Sequence, residues 1–160
     1  MSLHLESPAF TPGEHLPQHY AHAPVGDDIS PPLRWSKAPE GTRSFALICD
    51  DPDAPMEQPF VHWLLYGIPP QEQRLTEGDG PRFKQGRNDF DQLGWGGPLP
   101  PEGHGVHRYY FRLFALDTEI DLGNGASKDE LMAAMEGHII DKAETVGCFE
   151  RRRQEQEVEE

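Results

Sequence analysis

The stretch Asp51-Pro52-Asp53-Ala54-Pro55 follows directly on the apolar run Phe45-Ala46-Leu47-Ile48-Cys49. A short continuous apolar run of this kind reads as a strand covered on both faces. Proline lacks the N–H that a sheet ladder needs, and it pushes the residue before it toward extended conformations. The chain must therefore leave a buried sheet here through a stiff turn that carries Asp50, Asp51 and Asp53. Asp51 and Asp53 stand two apart in locally extended chain and are expected to point to similar sides. An ordinary surface turn uses the same residue types, so this stretch alone leaves both readings open.

The rest of the chain suits strands joined by turns. It holds 16 Gly and 16 Pro in 160 residues, too many punctuators for a helix bundle. That length predicts one domain, residues 1–150, with a charged tail over 151–160 that cannot bury a core. The net charge of -14 repels nucleic acid and anionic membrane surfaces, and neither is an expected partner. A local anion site is still allowed, because short-range donors outweigh a screened distant field. Cys49 and Cys148 form no paired framework and read as buried free thiols of a reducing compartment. The N-terminus shows no basic segment followed by a long apolar one, so no signal peptide or membrane span is expected and the cytoplasm is the expected location.

Three strands stand out: Arg43 to Asp50, Phe60 to Ile68, and His107 to Asp117. Alternation predicts Val61, Trp63 and Leu65 on one face of the second, with His62, Leu64 and Tyr66 on the other. In the third, His107, Tyr109, Phe111, Leu113 and Ala115 share a face, setting an imidazole beside a phenol. Residues 71–106 show no period, and a loop so long inside a domain is usually functional or disordered. Gly94-Trp95-Gly96-Gly97-Pro98-Leu99-Pro100-Pro101 reads as an ordered wall beside a site. Ser127-Lys128-Asp129-Glu130 matches a capping box, opening a helix whose Leu131, Met135 and Ile139 should pack on a sheet. Gly147 and Phe149 suggest a short closing segment. His15, His19 and His22 are interrupted by Pro17 and read as loop histidines.

Asp51-Pro52-Asp53-Ala54-Pro55, His62-Trp63, Gly97 to Pro101 and His107-Arg108-Tyr109, in this order, resemble the phosphatidylethanolamine-binding protein family, in its bacterial Raf-kinase-inhibitor-like branch. The resemblance runs from about Leu5 to about Arg152 and includes Ser30-Pro31-Pro32-Leu33-Arg34-Trp35 and Ala38-Pro39-Glu40-Gly41-Thr42. It implies a mainly β fold, antiparallel sheets packed as a Greek-key sandwich, with one helix near the C-terminus and a small anion pocket at one end. The pocket residues it implies are Asp51, Asp53, His62, Pro100, Pro101, His107 and Tyr109, and Gly97 joins them from the glycine-rich loop. It implies a phosphate-bearing or carboxylate ligand, a kinase or protease as protein partner, and no established reaction or cofactor. A homodimer is compatible with it. Eukaryotic members end in a longer helix with a further pocket aromatic, whereas this chain ends in Cys148-Phe149-Glu150 and the tail. No C-terminal lid is therefore expected, and the short segment from Pro55 to His62 should leave the mouth open.

The chemistry expected of such a pocket uses both carboxylates to orient and charge both histidines, which then donate to a phosphate oxygen. Tyr109 offers a hydroxyl, and main-chain N–H groups of Gly94 to Gly97 could add donors. A ligand ammonium would meet spare carboxylate charge. Affinity for phosphate should then fall as pH rises through the histidine range. Two rivals stand beside this. One is a hydrolase, metal-free or with zinc at Asp51, Asp53, His62 and His107; no nucleophile elbow, zincin, P-loop or dinucleotide fingerprint supports it. The other is a docking module for a phosphorylated or acidic peptide, using an exposed wall of Trp95, Pro98, Pro100 and Pro101.

Overall fold

A computed structural model describes residues 2–152; residues 153–160, most of the expected charged tail, lie outside them. Two strands open the described chain, β1 (His4–Glu6) and β2 (Leu33–Ser36). The apolar run becomes β3 (Ser44–Asp51), and β4 (Phe60–Ile68) returns against it. The long polar segment contains only β5 (Arg74–Leu75), a 3-10 turn and β6 (Lys84–Gln85). The His-Arg-Tyr strand is β7 (Val106–Leu116), followed by α1 (Lys128–Met135) and β8 (Ile139–Glu150).

The strands form two antiparallel sheets, β1-β2-β5 and β6-β4-β3-β7-β8. This is the mainly β class that the sequence predicts. Alternation explains the layers. Phe45, Leu47 and Cys49 of β3 and Phe111 and Leu113 of β7 meet Leu5, Leu33 and Trp35 of the small sheet in one core. Ala46, Ile48, Leu64, Tyr66 and Phe114 face the other way and are covered by Leu131 and Met135 of α1. The capping box forms as written: the Ser127 hydroxyl accepts from Glu130 N–H and the Glu130 carboxylate accepts from Ser127 N–H.

Four expectations need correction. The helix stops at Met135, and Ile139 belongs to β8, because Gly137 turns the chain at a φ of 82°. The closing segment is a full edge strand of 12 residues paired along β7. Its outer half is exposed and charged, so no apolar period marks it. The Gly94–Pro101 wall faces inward: Trp95 packs edge-on to Trp63 and stacks on Phe111, while Pro98 and Pro100 are buried. Cys49 is buried as expected, but Cys148 is only half-buried. Among the described residues, no helix is long and apolar enough to cross a membrane.

Candidate functional site

The end of the large sheet near Asp51 owes its chemistry to one irregularity. Cys49 pairs with Trp63, but its neighbour Asp50 pairs with Val61, so His62 opposes nothing. This β-bulge reverses the alternation locally and re-aims a side chain. Val61 consequently packs with Leu64 and Tyr66, not with Trp63. His62 leaves that face and meets the Tyr109 ring edge-on, with centroids 5.0 Å apart. The strict alternation read from the sequence fails here for that reason.

A cavity of about 230 Å³ opens beside these rings. Its polar residues are Asp51 from β3, His62 from β4, and His107 and Tyr109 from β7. Ala54, Pro55 and Met56 from the turn after β3 and Leu99, Pro100 and Pro101 from the wall supply apolar lining, closed by Phe60 and Phe90. Among the described residues, nothing from β8 or beyond lines it. A larger groove, about 550 Å³, lies between α1 and the outer face of β7 and β8. Two of its cations, Arg112 and Lys128, are engaged by the buried Asp50, on the face away from Asp51.

Six of the eight candidate residues, Asp51, His62, Pro100, Pro101, His107 and Tyr109, meet on the cavity wall. Asp53 and Gly97 do not line it. Asp53 Oδ2 accepts from the backbone N–H and Nε of Arg108, and its Oδ1 accepts from Nη2, each at 2.9 Å. The Arg108 guanidinium holds that carboxyl below the usual carboxylate range. Proline pairing did not aim the two acids alike: Asp51 turns in, Asp53 turns out. Gly97 donates its N–H to Asp28 Oδ1 at 2.7 Å. A Cβ at Gly97 would stand 2.1 Å from the Tyr20 carbonyl oxygen, so its smallness serves packing.

The two histidines are held by different partners. His107 Nδ1 lies 2.6 Å from Asp51 Oδ2, with both side chains buried. Asp51 Oδ1 accepts the Asp53 N–H at 2.7 Å, so both its oxygens are engaged. Burial pushes the Asp51 carboxyl up, against the pull of the His107 bond and the Asp53 N–H. His62 instead sets Nδ1 2.6 Å from the Gly96 carbonyl oxygen. Burial lowers its pKa from 6.5 to about 4, so it is neutral at neutral pH. The expectation that carboxylates charge both histidines therefore fails for His62. The N–H groups of Gly94, Gly96 and Gly97 are likewise spent, on Gly86, His62 and Asp28. Every oxygen of Asp51 and Asp53 already accepts at least one hydrogen bond, so a ligand ammonium would share a carboxylate with those partners.

What remains open is the Tyr109 hydroxyl, buried and without a hydrogen-bond partner among the described residues. Burial raises its pKa well above the usual phenol value, so it stays a donor. Beside it, His107 Nε2 is capped by Nδ1 of the exposed His104, at 2.7 Å. His104 went unread in the sequence; its only signal is a histidine between Gly103 and Gly105, three residues before His107. Phe60 and Phe90, 4.8 Å apart by centroid, carry no signal at all at that separation. Among the described residues, no three His, Cys, Asp or Glu side chains converge as a metal site would require.

Comparison with known proteins returns one consistent picture. A family model described as phosphatidylethanolamine-binding protein matches residues 6–150. An Aquifex aeolicus relative, named only as a UPF0098 protein, is 46% identical over 152 residues, covering 91% of this chain and 86% of its own. The solved structure of a phosphatidylethanolamine-binding protein homolog from Chlamydia trachomatis superposes with a TM-score of 0.87 at 37% identity, covering 94% of this chain and 98% of its own. Escherichia coli YbcL, described as a member of the mammalian family, gives 0.87 at 32% identity, covering 94% and 99%.

Proposed function

The chain belongs to the phosphatidylethanolamine-binding protein family, and from that premise we propose that its cavity binds a small phosphate-bearing or carboxylate ligand. The observation that carries this reading is the buried, unpartnered Tyr109 hydroxyl on the cavity wall. A buried polar group normally finds a partner, and leaving one unmade costs roughly 1–3 kcal/mol. A ligand oxygen supplies the missing acceptor.

The second donor is His107. With Nδ1–H given to Asp51, its Nε2 donates to a ligand only when that nitrogen also carries a proton. His104 must give up its bond to Nε2 when a ligand enters. At about 230 Å³ the cavity is smaller than the roughly 300–1,000 Å³ typical of drug-sized ligands, which suits a head group and not a long chain. A phosphorylated side chain of a protein partner presents the same group, and a regulatory role would run through such competition. The unpaired Cys49 and Cys148 are in keeping with a reducing compartment such as the cytoplasm.

Calorimetric titration of phosphate and O-phosphoethanolamine near pH 6 tests the reading. Binding by the unmodified protein should vanish in His107→Ala. Silence in both proteins would refute it.

A further inference from the structure

We propose that the cavity selects a phosphate ester that keeps one P–O–H proton over a sulfate ester of the same shape and charge, and that His62 makes this choice. The inference rests on the small-anion reading of the same site. It starts from one bond. The Gly96 carbonyl, 2.6 Å from His62 Nδ1, can only accept, so the ring proton sits on Nδ1. The other ring nitrogen, Nε2, then carries a lone pair. Among the described residues no N–H or O–H is bonded to it, and the ring lines the cavity.

The groups that favour a charged ring, the Gly96 and Gly97 backbone and Asp50, are outweighed by burial. Tyr109 on β7 meets it edge-on as a neutral phenol, and Phe60 and Phe90 pack against it as hydrocarbon. The charged and titratable neighbours are His22 in the N-terminal segment and Asp50 on β3. Asp50 is committed to Arg112 and Lys128 on the other face. Burial dominates and keeps the ring neutral.

The pocket thus offers two donors, Tyr109 O–H and His107 Nε2–H, and one acceptor, His62 Nε2. A phosphomonoester monoanion has two bare oxygens and one hydroxyl, which answers all three. A sulfate monoester has three bare oxygens. One of its lone pairs would face the His62 lone pair, leaving that buried acceptor unmet. Sites built to hydrogen-bond a ligand O–H discriminate strongly against analogues that lack it.

Methyl phosphate and methyl sulfate isolate this difference. Near pH 5.5, below the second phosphate pKa of about 6, methyl phosphate is mostly a protonated monoanion, while methyl sulfate is a monoanion with no proton. Titration calorimetry should show methyl phosphate binding at least about tenfold more tightly. In His62→Gln, whose amide can present either an oxygen or an N–H, the ratio should shrink to about twofold or less. Equal affinities in the unmodified protein, or an unchanged ratio in the variant, would overturn the selection by His62 and leave the small-anion reading standing. Silence with both esters would overturn the two together. Nitrogen-15 spectra of the free, unmodified protein give a readout independent of the variant's folding. They should show His62 protonated at Nδ1, and a proton on Nε2 would overturn the inference.

Discussion

His62 and His107 share a cavity wall but face different acceptors. Asp51 can accept from a charged ring; the Gly96 carbonyl cannot repay the desolvation of one. This has a consequence for stability. The unfolded chain protonates His62 near 6.5, the folded chain only near 4. The unfolded state therefore binds more protons between those values, so stability is full above about 6.5 and is lost as pH falls toward about 4. The amount is roughly 3 kcal/mol for this residue. Asp51, raised by burial, acts with the opposite sign: the folded protein holds its proton more tightly, which favours folding on the acid side. Urea midpoints at neutral and acid pH should differ more in the unmodified protein than in His62→Gln. Identical pH slopes would show that His62 is not held neutral. His104 gives a second prediction at this scale. His104→Ala frees His107 Nε2 and should tighten phosphate binding severalfold, read by calorimetry, while an exposed side chain of this kind changes stability by about 0.5 kcal/mol or less.

At the scale of elements, the legible parts were those whose residues agree with their period. β3, β4 and β7 begin and end within a residue of expectation, because their apolar runs are buried along their length. β8 escaped notice because an edge strand exposes one face and half its length to water. The bulge at His62 escaped for a different reason: it is a property of pairing between β3 and β4, not of β4's own sequence. The helix was legible from its cap, and Ser127→Ala should cost about 1 kcal/mol in denaturant unfolding. Asp50 ties the helix to the sheet. It is almost wholly buried, with Arg112 Nη1 at 2.6 Å and Lys128 Nζ at 2.9 Å. Arg112→Met leaves that carboxylate short of a partner and should cost about 1–3 kcal/mol in denaturant unfolding. Because Asp50 faces away from the cavity, phosphate affinity should stay unchanged; a large loss would mean the two faces are coupled.

Across the whole molecule, the sheets bring together residues from three distant parts of the chain: Asp51 at the end of β3, His62 in the bulge, and His107 and Tyr109 at the start of β7. Sequence reading nominates these through the family resemblance, whose motifs carry them as a set. It could not tell that Asp53 would be drawn out to Arg108, since both acids share one motif and only the fold separates them. Nor could it find Phe90 and His104, which reach the site from loops with no period. On the proposed reading this one cavity, in a chain of net charge -14, receives an anion through Tyr109 and His107. A crystal structure of the protein with O-phosphoethanolamine tests it most directly. A phosphate group should lie within hydrogen-bond reach of Tyr109 Oη and His107 Nε2, with His104 displaced from His107. An empty cavity with His104 still in place, or a phosphate seated in the groove at Arg112 and Lys128 instead, would contradict it.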